Sequence, residues 1–516
     1  MSSLSPLKAQ VWVDRTTLLH QSALVLVAGL CGVLVAAQPL WAVCAVCALV
    51  GIIAFPIVRR RLPKAGWALL FCIFIFADHQ FRSIFLLPVS GVEIQPREIA
   101  LGIFLSVFCI TLVHSVFSQP NALRVPPAYD MHLGILLLIG YFVSAGFIGI
   151  LQGNDMRMII ADARVSPYLL AYPAFLFLVR TRREMHFLLI ALFVLSAAIA
   201  LAALMFFAYA TLTGGVISVQ NHLGEFVRRE FGPFLVQSVR PNGHWLWEVT
   251  WVVLFSLIIS GLRAKMSLPM LMLLIGLLVF FSAAIFVEFM RTAYVSVAVS
   301  TLVLLGLYLP VRFHRLGMVF AFAVVVAGAA AFFIHYRTAD VVPTLDKEVS
   351  IKAREMENIG AVDALAEHPW WGLGLGGTFR SMDYVWPGRR EVYTEGEFKS
   401  LHNSFLQYFV KGGILAAGLA VSGLALVIAS AYRILEQKGR NPWENALLRG
   451  ILAAFVGQCA ASLTLPRLSY AHGLVFTALC AALFARWDTL APLGLDTYGL
   501  DTEHDEHEPD YTAKVP

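Results

Sequence analysis

Charge is what this chain has least of. Asp, Glu, Lys and Arg together make up 14% of its 516 residues, whereas 59% are hydrophobic. A soluble chain carries roughly a quarter charged residues to wet its surface. The scarcity therefore excludes an ordinary water-soluble globule and makes lipid the solvent for most of the surface. A mean hydropathy of +0.75 agrees. Only helices and closed barrels satisfy backbone polar groups in hydrocarbon. The apolar runs here are long and continuous rather than alternating, so the spans are helices. The fold class expected is an all-α polytopic membrane protein, one membrane domain with one large loop.

Cysteine is sparse as well. Cys31, Cys44, Cys47, Cys72, Cys109, Cys459 and Cys480 all lie inside apolar runs, so no disulfide framework is implied. Cys44 and Cys47 make a formal C-x-x-C, but inside an expected span and without a βαβ context, where small packing residues are the simpler reading. The signatures of soluble catalysis are missing too: there is no H-E-x-x-H, no nucleophile elbow and no Walker A lysine. Gly372-Leu373-Gly374-Leu375-Gly376-Gly377 satisfies G-x-G-x-x-G on paper. A dinucleotide site needs a strand before it and a helix after it, and this stretch follows Glu367-His368-Pro369-Trp370-Trp371. It reads as a tight glycine turn against the membrane surface. No internal repeat is visible. The first apolar run, Thr17 to Ala36, is followed at once by another and reads as a retained anchor, not a cleaved leader.

What the chain does have is spans. About fourteen apolar runs reach the roughly 20 residues a helix needs to cross: 17–36, 40–58, 66–87, 98–117, 131–151, 165–180, 186–210, 245–262, 268–287, 291–309, 316–334, 404–431, 446–464 and 469–486. Lys and Arg concentrate in alternate short loops: Arg59, Arg60, Arg61 and Lys64; Arg124; Arg180, Arg182 and Arg183; Arg263 and Lys265; Arg312 and Arg315; Arg433, Lys438 and Arg440. The positive-inside rule puts these in the cytoplasm, with both termini. Four units follow: an N-terminal bundle over 1–334, a large outward loop over 335–403, C-terminal spans over 404–490, and an acidic, disordered cytoplasmic tail over 491–516. The first part of the outward loop, Asp346 to Ala366, has helical spacing with an apolar face of Ile359, Val362, Leu365 and Ala366. Its second part reads as irregular.

Candidate functional residues gather at the outer ends of spans. Arg291 begins one span, with Glu288 three residues before it. Arg240 precedes another in Arg240-Pro241-Asn242-Gly243-His244. Arg164 opens a third beside Asp155, Arg157 and Asp162, and Asp78, His79 and Arg82 close a fourth. Taken singly, each is an interfacial anchor or a snorkelling side chain. Together, several arginines at one face could receive a di-anionic headgroup, because arginine binds phosphate at two points and keeps its charge when partly desolvated. His402-Asn403-Ser404 closes the long loop and enters the next span. A lone loop histidine is usually structural, but an imidazole at this surface can also exchange a proton near neutral pH.

The same residues form a pattern. Ala364-Leu-Ala-Glu-His-Pro-Trp-Trp-Gly-Leu-Gly-Leu-Gly is followed, after a gap, by Leu401-His402-Asn403-Ser404-Phe405-Leu406-Gln407-Tyr408, then Gly412-Gly413-Ile414 and Gly418. This resembles the O-antigen ligase and Wzy-type O-antigen polymerase superfamily, in which a P-x-x-G-x-G turn ends a helix of the large periplasmic loop and an H-N-S motif enters the next span. Met290-Arg291-Thr292 resembles the family's outer-face arginine, and Arg354 stands where the family often has an arginine ahead of the loop helix. Leu401 departs from the many relatives with a smaller or polar residue there. The motif-bearing region runs from Arg240 to Gly418.

The resemblance implies a bacterial inner-membrane glycosyltransferase. The reaction implied is inverting, without metal or cofactor, and draws on an undecaprenyl-pyrophosphate-linked oligosaccharide. In it, Arg291 and Arg240 hold the pyrophosphate, with Arg164, Arg354 and Asn403 as further substrate contacts, and His402 orients or deprotonates the acceptor hydroxyl. Sugar pyrophosphates are already activated, so charge stabilisation on the leaving group and a positioned acceptor are what catalysis requires. The leading expectation is a polymerase extending repeat units of an O-antigen or exopolysaccharide. The alternative is a ligase moving finished polymer to lipid A-core or a protein. A third reading, a lipid-linked oligosaccharide flippase, would show inverted repeats and broken helices around a midplane site. Expected partners are the lipid-linked donor, the glycan acceptor, the bilayer and polysaccharide-assembly proteins, with no nucleic acid.

Overall fold

The computed structural model describes residues 63–76, 87–89, 92–118, 128–213, 224–231, 234–241, 243–288, 290–309, 345–385, 392–436 and 441–489. In chain order the helices are α1 (Pro63–Phe76), α2 (Pro96–Ser118), α3 (Tyr129–Leu151), α4 (Met156–Ala163), a 3-10 turn (Ser166–Leu170), α5 (Ala171–Leu178), α6 (Arg182–Thr213), α7 (Trp245–Arg263), α8 (Leu268–Glu288), α9 (Arg291–Tyr308), α10 (Leu345–Glu367), α11 (Ser404–Glu436), α12 (Pro442–Ala461) and α13 (Ala471–Thr489). Three antiparallel hairpins interrupt them: β1 (Leu87–Val89) with β2 (Val92–Ile94), β3 (Gly224–Phe231) with β4 (Phe234–Pro241), and β5 (Phe379–Val385) with β6 (Val392–Phe398). The start of α12 follows local rules. At α12, Asn441 Oδ1 accepts the Trp443 N–H at 3.0 Å, and Pro442 takes a position whose N–H has no helical partner anyway.

Among the described residues, six helices, α2, α3, α6, α7, α8 and α11, are long and apolar enough to cross a membrane, and α1, α9 and α13 contain shorter apolar helices. Of the fourteen expected spans, those at 17–36, 40–58 and 316–334 lie outside the described residues. The span expected at 165–180 is not one helix. Pro167 and Pro173 each lack a donor, and the stretch forms a 3-10 turn followed by the eight-residue α5, far short of a crossing length.

α3 and α11 pack antiparallel and so closely that a Cβ on Gly423 would stand 2.6 Å from the Gly134 carbonyl oxygen. α12 lies between α7 and α9, with Ser256 Oγ donating to the Ala446 carbonyl at 2.6 Å. These antiparallel contacts bring the C-terminal ends of α3, α8 and α12 to the same end of the bundle as the N-terminal ends of α7, α9, α11 and α13. The opposite end is tied by ion pairs of Arg182 with Glu444 (2.8 Å) and Arg433 with Asp130 (2.5 Å).

The loop is more ordered than its sequence suggests. Its helix, α10, spans almost the stretch expected, but the stretch read as irregular contains the β5–β6 hairpin. The apolar face is also corrected: Ile359 and Val362 are exposed, and Glu357, Gly360 and Ala361 are buried. Gly360 faces inward because it packs on β5, where a Cβ would meet the Arg380 carbonyl and Ser381. A larger residue would not fit there.

Candidate active site

The glycine turn is a wedge driven into a broken helix. α11 departs from helical geometry at Gly413, where φ is 59° and ψ is −171°. The break orphans backbone groups, and the turn supplies partners for them. Leu373 and Gly374 donate their N–H groups to the Val410 and Lys411 carbonyls (2.8 and 2.9 Å), while Ile414 and Leu415 donate to the Pro369 and Trp370 carbonyls (2.9 and 3.3 Å). On its other side the turn enters α3, with the Leu375 N–H donating to the Ala145 carbonyl at 2.8 Å. Asn154 Nδ2 donates to the Leu373 and Leu375 carbonyls (2.8 and 2.9 Å). Gly374 has φ of +69°, and a Cβ there would run into the Gly149 backbone. Both facts require glycine. Among the described residues the sheets are all antiparallel hairpins, and the turn leads into β5 rather than a helix, so it has no dinucleotide context.

His402 stands where the loop meets the bundle. Its backbone N–H donates to Glu357 Oε1 at 3.0 Å, and its Nδ1 lies 2.9 Å from Glu357 Oε2. The imidazole side chain is 56% exposed and the Glu357 side chain only 6%. Leu401, the residue that departs from the family pattern, is buried with Ala361, Phe379 and Val410 and fills the space beneath the loop helix. Asn403 Oδ1 accepts the Leu406 N–H at 3.0 Å, so Asn403 caps α11. Ser404 donates its N–H to the Ser462 carbonyl at 2.9 Å.

That last contact reaches a turn, residues 462–470, which ties together the starts of α7, α9 and α11. Tyr408 donates its hydroxyl to the Leu468 carbonyl at 2.8 Å. Thr464 Oγ1 lies 3.3 Å from Thr292 Oγ1, in the first turn of α9. Arg467 makes a two-point pair with Glu248 of α7, both contacts at 2.7 Å, and adds a 2.6 Å bond to Gln458 Oε1. Burial works against the Arg467 charge, but Glu248 more than offsets it and raises its pKa above the ordinary value. The turn thus fixes the H-N-S segment, the start of α9 and the start of α7 relative to one another.

Beside it, Glu288, fully buried at the end of α8, accepts from Trp247 Nε1 at 3.1 Å and pairs with His244 Nε2 at 3.4 Å. His244, Glu248 and Glu288 lie close enough to ligate one cation. Both Glu248 oxygens, however, are committed to Arg467, so this donor set fits a charge-paired network better than a metal centre.

The sequence-derived site residues fall as follows. His402 and Asn403 are at the loop–bundle junction. Arg291 is the first residue of α9 and Arg240 lies near the end of β4, paired in register with Glu225; their side chains lie outside the described residues, as do Asp78, His79 and Arg82. Arg164 closes α4 and pairs with Glu98, its second nitrogen 2.6 Å from Glu98 Oε2, which holds α4 to the start of α2. Arg354 lies within α10, not ahead of it, three residues before Glu357. Helical spacing puts 354, 357, 361 and 364 on one face. Glu357 escaped the sequence reading. Its signal was a carboxylate in register with Gly360, Ala361 and Ala364, a face of small residues that marks close packing.

No curated protein matches the chain. Residues 276–421 match the family model described as O-antigen ligase, a segment that contains Arg291, Arg354, Glu357, the glycine turn and His402.

Proposed function

We propose that the protein transfers a glycan from a polyprenyl-pyrophosphate donor to an acceptor hydroxyl at the outer face of a bacterial inner membrane. The observation that carries this reading is the 462–470 turn, which ties the H-N-S segment to the helix that Arg291 opens. In the step proposed, His402 takes the proton of the acceptor hydroxyl, and the freed oxygen forms a bond to the anomeric carbon from the face opposite the leaving group. The bond from that carbon to the phosphate oxygen breaks with its electron pair, and the pyrophosphate departs on its lipid with inversion. The arginines Arg291 and Arg240, with Arg354 and Arg164 as further contacts, neutralise the charge that builds there. Arg240 lies outside the family match, so its part rests on position alone.

Within that reaction the favoured reading is polymerisation of lipid-linked repeat units of an O-antigen or exopolysaccharide. The description of the matched family, O-antigen ligase, favours a second reading, transfer of finished polymer to lipid A-core or another acceptor. The flippase reading loses its structural motive: α11 is broken, as in transporters, but the orphaned groups are satisfied by the loop's own backbone. The test is reconstitution of the protein in vesicles with an undecaprenyl-pyrophosphate-linked oligosaccharide and acceptor. Release of undecaprenyl pyrophosphate with a longer glycan supports transfer. Unchanged donor on both leaflets refutes it, and donor that merely changes leaflet restores the transporter. The orientation, with 335–403 outside and both termini inside, is tested by an impermeant thiol reagent against a cysteine placed at Thr394 in spheroplasts.

A further inference from the structure

We propose that Glu357 is the positioning residue of this site, and that its carboxylate selects the tautomer of His402 that leaves Nε2 free to accept a proton. The inference rests on the reading of His402 as the base. Two groups of one residue converge on the one carboxylate: the His402 backbone N–H on Oε1 at 3.0 Å and the ring Nδ1 on Oε2 at 2.9 Å. A carboxylate can only accept, so the ring must donate from Nδ1, and its basic lone pair is then on Nε2. The backbone contact prevents the carboxylate from sliding along the ring, so orientation and tautomer are set together.

The surroundings fit a positioning part. Glu357 is buried among small residues on the inner face of α10, while the imidazole is more than half exposed. Tyr470, just before α13, interacts electrostatically with Glu357 and with Arg97 at the start of α2; Arg354 shares the helix face. The carboxylate belongs to the loop helix, whereas the histidine enters a membrane helix. The base is therefore complete only when the loop is docked through its glycine turn. Docking and proton acceptance become one event.

Glu357→Gln tests this sharply, because a carboxamide has one accepting oxygen for two donors. If that oxygen keeps the backbone N–H, the amide NH2 faces Nδ1. The ring must then accept at Nδ1 and carry its proton on Nε2, the wrong tautomer for a base. The probe is the protein labelled with 15N-histidine in nanodiscs, with the His402 signal identified by its loss in His402→Gln. The expected result is an Nδ1-protonated ring in the natural protein and an Nε2-protonated ring in Glu357→Gln. In the transfer assay, kcat should fall at least about tenfold, less than the roughly hundred- to ten-thousand-fold that loss of the base itself would cost, with KM for the lipid-linked donor unchanged. Glu357→Asp, which keeps the charge and both acceptors, should recover part of the rate. An unaltered ring signal in Glu357→Gln overturns the inference, whatever the rate does, because any loss is then structural. A His402→Ala protein of normal activity overturns the base itself and the proposed function with it, an outcome distinct from the first.

Discussion

Lys411, buried within α11, forms a 2.7 Å ion pair with Asp162 of α4. Its ammonium also donates to the Gly377 carbonyl at 2.7 Å, and the same Asp162 oxygen accepts the Gly376 N–H at 2.8 Å. The pair thus clamps the far side of the glycine turn, where the loop leaves the bundle. Removing one partner of a buried pair strands the other, which costs about 3 kcal/mol or more. Lys411→Met should therefore lower the thermal midpoint in detergent and expose the 369–377 turn to proteolysis. Adding Asp162→Asn should cost less than the sum of the two single changes. Additive losses would mean that the pair is not the clamp.

The turn itself makes a second prediction, with an internal control. Gly374→Ala combines a left-handed backbone with a collision against the Gly149 backbone, and strain of this kind costs about 1–3 kcal/mol before the collision is counted. The loop should undock and transfer should be lost. Gly418 lies in the helical part of α11 with nothing within 4 Å of a Cβ built on it. Gly418→Ala should be neutral or stabilise by up to about 1 kcal/mol. Measured side by side by thermal unfolding and transfer, the two variants should move in opposite directions; equal effects would argue against the wedge.

These glycines show where the sequence was legible. Hydropathy alone pointed to long apolar helices, and among the described residues six are long and apolar enough to span. The glycine run could be freed from its dinucleotide reading because no strand–helix frame surrounded it. Its true role was hidden because Gly374 and Gly149 are far apart in sequence, and a close backbone approach between distant segments leaves no local periodicity. Glu357 was hidden for a related reason. In α10 the larger apolar residues, Ile359 and Val362, face outward, and the buried face is built of Gly360 and Ala361 around one carboxylate. Hydrophobic periodicity finds bulk, and this face is defined by small size. The interruption at 165–180 has its local signal in Pro167 and Pro173, which apolar content does not register.

Arg291 provides the third prediction. It opens α9, one residue before the Thr292 contact with the 462–470 turn. Arg291→Ala should abolish transfer while the protein still inserts and unfolds at its usual temperature. Arg291→Lys should recover little, because an ammonium lacks the planar two-point contact with phosphate. Full activity with lysine would point to general surface charge, and the pyrophosphate role would then be withdrawn. Arg240→Ala should show a loss in the same direction, and weaker.

The last prediction separates the two transfer readings through His402. His402→Ala should bind the lipid-linked donor almost as well as the natural protein, because in the proposed step the arginines, not the histidine, hold the pyrophosphate. Turnover should fall by roughly a hundred- to ten-thousand-fold, the range of general-base assistance. A residual rate above about a tenth of normal, set against that range, would make the histidine merely structural. The lipid-linked material left in cells carrying the variant then identifies the step. A blocked polymerase leaves single repeat units on undecaprenyl pyrophosphate, because no chain can grow. A blocked ligase leaves long polymer on the same lipid, because growth was completed elsewhere and only the final transfer failed. Normal lipid-linked and surface glycan in the same cells would count against both readings, since a base needed for either step cannot be removed without a trace in its substrate.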